Sequence, residues 1–130
     1  MSVTHDSLNV HSDTRGFVFE PVDLETFARL RNAHVVISSP GVVRGNHYHL
    51  KGEETIAVIG PALVRYRQDD DRRDVEVPPE KVYRFTFPPG VPHAIQNLSL
   101  QPNVLVAFNT VAHDPQHPDT VPVELIGEEK

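Results

Sequence analysis

The chain has 130 residues, 38% hydrophobic and 23% charged, the composition of a globular domain large enough to bury a core unaided. A formal net charge of −6 provides no overall positive field, so neither nucleic acid nor a membrane surface is expected as a partner. With no cysteine there is neither a disulfide framework nor a thiolate, and any metal would be held by nitrogen and oxygen.

Residues 1–14 are polar, without the basic and apolar stretches of a secretory signal, and no apolar run approaches the roughly 18 residues that span a bilayer. A cytoplasmic protein is expected, with fraying over 1–14 and 127–130. Between these ends, runs rich in Val, Ile, Tyr, Phe and Thr predict strands at Gly16–Glu20, Ala33–Ser38, Val42–His49, Thr55–Ile59, Ala62–Gln68, Asp74–Val77, Lys81–Phe87, His93–Leu98 and Val104–Thr110. Leu24, Phe27 and Leu30 could share one face of a short helix over Leu24–Leu30, and a loop suits that stretch equally well. Pro78-Pro79 and Pro88-Pro89 fall between strands, where they interrupt no ladder, and Asp69–Asp71 with Arg72-Arg73 reads as a charged hairpin tip. The prediction is an all-β sandwich or barrel forming a single domain over 1–130, with an ordered core at about 13–126.

The segment from Gly41 to Glu53 reads Gly-Val-Val-Arg-Gly-Asn-His-Tyr-His-Leu-Lys-Gly-Glu. Strand side chains alternate, so His47 and His49 converge on one volume while Tyr48 points away. Gly52 allows a turn, after which Glu53 can return a carboxylate to that volume. Pro88-Pro89-Gly90-Val91-Pro92-His93 then sets a third imidazole at the start of a strand. Three imidazoles and a carboxylate suit one divalent ion: zinc, iron, manganese or nickel. A single strand histidine is more often structural, and the joint pattern is what points to metal.

That pattern, Gly41-x5-His47-x-His49-x3-Glu53-x6-Gly60 followed by Pro88-x-Gly90-x2-His93-x3-Asn97, resembles the two cupin signatures, with Val82 where the second has its leading glycine. The resemblance implies a cupin jelly-roll, the double-stranded β-helix barrel, holding one metal ion on His47, His49, Glu53 and His93. Glu54 would replace Glu53 if the spacer were one residue longer; Glu53 keeps the six-residue interval to Gly60 and is preferred. Asp13-Thr-Arg15-Gly16-Phe17-Val-Phe19-Glu20 resembles a nucleotide-binding stretch of dTDP-4-dehydrorhamnose 3,5-epimerases and related sugar-nucleotide cupins, implying substrate contacts from Arg15 and Glu20. Pro40-Gly41-x-x-Arg44-Gly45-x-His47-Tyr48 resembles another, implying Arg44 on a diphosphate and His47 as a base, but runs on into His49 where those enzymes carry Gln.

The likeness is stronger to the metal-binding cupin domain of capsular-polysaccharide nucleotide-sugar enzymes. It is carried by Arg44-Gly-Asn-His-Tyr-His49, Arg65-Tyr-Arg67, Pro88–His93 and Asp114-Pro-Gln-His-Pro-Asp119-Thr120, and covers about residues 13–121. It implies an epimerase or isomerase acting on a nucleotide-activated 4-keto-deoxy sugar in surface-polysaccharide synthesis, and a homodimer. Ligation would occupy the lone pair of His47, so the base must lie elsewhere. Tyr66, inward with Ala62 and Val64 by alternation, is the candidate proton donor, whereas His113 and His117 sit in a Pro-rich loop as solvated or rim residues. Two other classes fit the same ligands: a non-catalytic sugar- or metabolite-binding cupin, and a small iron- or manganese-dependent oxidoreductase such as a dioxygenase.

Overall fold

The architecture is that of a computed structural model, which describes residues 2–127. Twelve strands and one short helix follow in the order β1 (Thr4–Ser7), β2 (His11–Asp13), β3 (Gly16–Val18), α1 (Leu24–Phe27), β4 (Asn32–Ser38), β5 (Val43–His49), β6 (Glu54–Ile59), β7 (Ala62–Gln68), β8 (Asp71–Val77), β9 (Val82–Phe87), β10 (His93–Asn97), β11 (Asn103–Asn109) and β12 (Thr120–Pro122). Two five-stranded antiparallel sheets form, β1-β9-β6-β11-β4 and β12-β5-β10-β7-β8, with β2 and β3 as a separate hairpin. This is the all-β jelly-roll expected for a cupin.

The core lies between the sheets, filled by the inward-facing side chains of their strands. Ile56, Val58, Phe85, Phe87, Leu105 and Ala107 face it from one sheet, and Ala62, Val64, Tyr66, Val77 and Ile95 from the other. Phe85 and Phe87 are almost wholly buried and stack at 5.8 Å. Truncating either to Ala should cost about 3–5 kcal/mol.

All nine expected strands are present, with ends shifted by a few residues; the first stops at Val18, leaving Glu20 outside it. The helix is a single turn, capped by Asp23, whose carboxylate accepts from the Thr26 amide at 2.7 Å. The β7–β8 tip is a two-residue turn in which Asp69 and Asp70 both take positive φ, as type I′ geometry demands.

The expected fraying over 1–14 is not what the structure gives. β1 pairs with β9 from Thr4↔Thr86 to Ser7↔Tyr83, Arg84 clasps Asp6 at 2.9 Å, and His5 lies against Phe85. A polar strand is stabilised here by completing a ladder, which leaves no hydrophobic periodicity to read. β12 is likewise short, only three residues, pairing Thr120 with His49 and Pro122 with His47. Of the stretch 127–130, where fraying is also expected, residues 128–130 fall outside the described residues.

A bulge re-aims β5. The pairing His93↔His47 is followed by Ala94↔Gly45, so Asn46 is the extra residue, at φ 54°. Gly45 is at φ 87°, and a Cβ there would lie 2.8 Å from the His93 carbonyl oxygen, so both conformation and space require glycine. The Asn46 side chain clasps the chain end: its Oδ1 accepts from the Leu125 and Ile126 amides at 2.9 and 3.1 Å, and its Nδ2 donates to the Ile126 carbonyl at 3.0 Å. Ile126 is thereby held buried.

Candidate metal centre

Four side chains converge between the sheets. His47 and His49 come from β5, His93 from the start of β10 and Glu54 from the start of β6, and their candidate donor atoms all lie within 4.8 Å of one another. The convergence follows from pairing: His93 is directly opposite His47, and opposed residues share a face. The His93 ring also lies flat on Phe87, 4.2 Å away, so the floor of the site is the hydrophobic core itself.

Glu53, the carboxylate preferred from the sequence, is not in the cluster. Glu54, Ile56 and Val58 form the inward set of β6, and by the same alternation Glu53 falls on the outer side, where its Oε1 accepts from Arg29 Nη1 at 3.2 Å. The spacing to Gly60 misled; the period-two pattern of Ile56 and Val58 already pointed to Glu54.

The protonation pattern suits coordination. His93 Nδ1 lies 3.0 Å from the Val91 carbonyl oxygen, which can only accept, so Nδ1 carries a proton, and Nε2 is the ring nitrogen that faces Glu54 Oε1, 3.0 Å away, and would be the one to coordinate an ion. His49 Nε2 stands 2.8 Å from Glu54 Oε2, but the ring's N–H direction misses that oxygen. His47 Nε2 and His49 Nε2 are thus buried with no hydrogen-bond partner, an arrangement that costs free energy unless something binds them. Burial, reinforced by His93 and His49 and opposed by the Glu54 charge, brings the pKa of His47 down to about 4. Burial would raise the Glu54 carboxyl, but contact with His49 and His93 outweighs it and holds the group well below the usual range. A neutral imidazole beside an ionised carboxylate is the protonation state a divalent ion requires, and the three-nitrogen, one-oxygen donor set fits zinc, iron, manganese or nickel.

The cluster opens into a cavity of about 360 Å³. Its wall includes Asn32 and His34 from β4, Asn109 from the end of β11, and His113, Asp114 and Asp119 from the segment before β12. Asp119 ties that segment to the β5–β6 turn: its carboxylate accepts from the Lys51 and Gly52 amides at 3.0 and 2.8 Å and stands 3.8 Å from His49 Nδ1. A Cβ at Gly52 would fall 2.2 Å from Asn109 Oδ1, so any larger residue there would have to displace the Asn109 side chain.

The remaining expected site residues do not line the cavity. Tyr66 faces inward as alternation predicts and lies directly opposite His93 on the neighbouring strand, with its ring packed in the core against Phe87 at 6.0 Å. Arg15 is exposed on the β2–β3 hairpin, paired with Asp13 through Nε at 3.0 Å, and Glu20 is exposed beyond that hairpin. Arg44 donates to Ser38 Oγ at 3.1 Å and the Ile37 carbonyl at 3.0 Å, outside the cavity wall. Of the loop histidines, His113 lines the cavity and His117 binds Asp114 at 3.1 Å. Reasoning from sequence missed Asn32, His34 and Asn109, which cross-strand pairing brings to the site: Asn32 and Asn109 lie in the row of Glu54 and His34 in the next inward row.

The sequence profile of the polysaccharide biosynthesis C-terminal domain family matches residues 11–121. Among solved structures, the chain is similar to the capsular polysaccharide assembling protein CapF from Staphylococcus aureus, at 29% identity and a TM-score of 0.67, over 91% of this chain and 34% of that one. It thus spans about a third of the length of CapF. A dTDP-4-dehydrorhamnose 3,5-epimerase from Sulfolobus tokodaii matches at 25% identity and a TM-score of 0.68, over 88% of this chain and 74% of that one. ChmJ, a 3'-monoepimerase from Streptomyces bikiniensis solved with dTDP-quinovose, shares the fold at 20% identity and a TM-score of 0.73, over 95% and 70% of the two chains. No curated protein matches the sequence. Among the described residues, no helix is long and apolar enough to cross a membrane.

Proposed function

This chain belongs to the polysaccharide biosynthesis C-terminal domain family, and from that premise we propose that it is a metal-dependent cupin acting on a nucleotide-activated 4-keto-deoxy sugar, as an epimerase or isomerase in surface-polysaccharide synthesis. The observation that carries this reading is the convergent set of His47, His49, Glu54 and His93, two of its buried nitrogen atoms without a hydrogen-bond partner, at the floor of a cavity roomy enough for a sugar ring. The solved relatives support the substrate class, since ChmJ was captured with a dTDP-sugar and the archaeal relative is a dTDP-sugar epimerase.

When bound, a divalent ion would act as a Lewis acid toward a keto oxygen. The chain's own residues supply the rest: Glu54 lends the cluster its negative charge, Phe87 and the core beneath His93 keep water from that side, and the wall from Asn32 to Asp119 bounds the substrate's volume. The reading extends to a cytoplasmic homodimer working as one domain. The β4 edge is unpaired among the described strands and the β2–β3 hairpin exposes Phe17 and Val18, surfaces a second copy would cover. Arg15 and Glu20, remote from this chain's cavity wall, could contact a sugar nucleotide only from such a neighbour, and Arg44 only if the ligand extends beyond the wall.

The test is incubation of metal-loaded protein with dTDP- and UDP-4-keto-6-deoxy sugars in deuterium oxide. Label should enter the carbon next to the ketone, and absence of label from every such sugar would overturn the reading. A non-catalytic nucleotide-sugar-binding role is favoured by one observation, that among the described residues no tyrosine lines the cavity; tight binding without label would be its mark.

A further inference from the structure

Ligation by His47 leaves a keto-sugar epimerisation without its base, and three observations point to the same replacement. The first is register. Asn32 lies opposite Asn109, which lies opposite Glu54, and in the next inward row His34 lies opposite Ala107, which lies opposite Ile56. Opposed residues share a face, so His34 stands on the inner face of the sheet, one row from Glu54 and two strands across. The second is space. Ala107, between them, carries only a methyl group, and His34 lines the same cavity of about 360 Å³ as His47, His49 and Glu54. It also remains exposed, because β4 is the edge of its sheet. The third is the tautomer. His34 Nδ1 lies 3.2 Å from Asn32 Oδ1, an amide oxygen that can only accept, so the proton sits on Nδ1 and the lone pair on Nε2.

We propose that His34 is the general base that removes the proton from the carbon beside the keto group of a nucleotide-activated sugar bound over the histidine cluster. This rests on the function proposed above. Nε2 takes the proton; the C–H electron pair becomes the C=C bond of an enolate, and the carbonyl π pair moves onto oxygen. Water protonates the same carbon from the opposite face, restoring the ketone with inverted configuration, and the imidazolium returns its proton to the hydroxide so formed. Asn32 holds the ring in the tautomer that keeps Nε2 basic.

The experiment compares metal-loaded wild type with His34→Ala and His34→Gln, following deuterium uptake into UDP- and dTDP-4-keto-6-deoxy sugars, together with metal content, melting temperature and binding of the sugar nucleotide by calorimetry. Both variants should lose at least about 100-fold in exchange rate, the usual worth of a positioned base. Metal content and binding should stay within about twofold of wild type and the melting temperature should be nearly unchanged, because His34 is exposed and is not one of the candidate ligands. Added imidazole should restore part of the rate to His34→Ala, a rescue that a merely structural role would not permit. Exchange in either variant within about threefold of wild type would overturn the assignment, as would loss of metal alongside loss of rate. Should the wild type itself exchange nothing, the proposed activity fails and His34 with it. An active wild type beside active variants removes His34 alone.

Discussion

Exchanging the two adjacent glutamates tests the register on which the metal site depends. In Glu54→Gln the shape is kept and the charge lost, at a residue 4% exposed whose oxygens lie 2.8 and 3.0 Å from His49 and His93. Groups that only support a metal ligand are worth about 10–100-fold in affinity. The one anionic donor among four should exceed them, so the loss is expected to be at least about 100-fold, about 2.7 kcal/mol at 1.36 kcal/mol per decade. Glu53→Gln removes an ion pair whose Arg29 and Glu53 side chains are 56% and 20% exposed. Such a pair contributes about 0–1 kcal/mol to stability, and metal affinity should change by less than about threefold. Zinc titration of metal-stripped protein against a chromogenic chelator, with elemental analysis of each variant, measures both. A large loss in Glu53→Gln with little in Glu54→Gln would refute the strand register, and no loss in either would refute the carboxylate's role.

Three further outcomes follow from separate parts of the molecule. Metal-free protein should lose stability as pH falls from about 6.5 toward about 4, because His47 stays neutral in the fold while its unfolded counterpart takes up a proton; His47→Gln should flatten that part of a melting-temperature profile. Glu54, its carboxyl depressed in the fold, adds to the loss below its ordinary value of 4.5. Asn46→Ala removes three hydrogen bonds to residues 125–126 and puts alanine at positive φ, so urea unfolding should show a loss of about 2–4 kcal/mol, with faster amide exchange over 123–126. Asp119→Ala should weaken zinc binding by about 10-fold and speed exchange of the Lys51 and Gly52 amides, which it now holds; unchanged exchange at those amides would show that the tether does not act in solution.

How much was readable beforehand depended on whether a feature leaves a local trace. Nine strands announced themselves because apolar alternation and proline punctuation are properties of neighbours in sequence. β1 and β12 did not, since their stability comes from ladder bonds to β9 and β5; β1 is polar throughout and β12 is only three residues long. His47 and His49 were legible as a pair two residues apart on a strand, and the cupin-like spacing brought in His93.

What the sequence by itself determined, then, is the all-β class, the three histidines and the exclusion of thiolate chemistry, all of which follow from residue type and short-range period. Only the tertiary structure decided which carboxylate joins them. Glu53 and Glu54 are chemically the same and adjacent, and a strand turns each of them to an opposite face: one meets Arg29 on the outer side, the other three converging imidazoles. The cavity wall was likewise decided by pairing across three strands, which sets Asn32 and His34 beside Glu54 although some twenty residues of chain separate them.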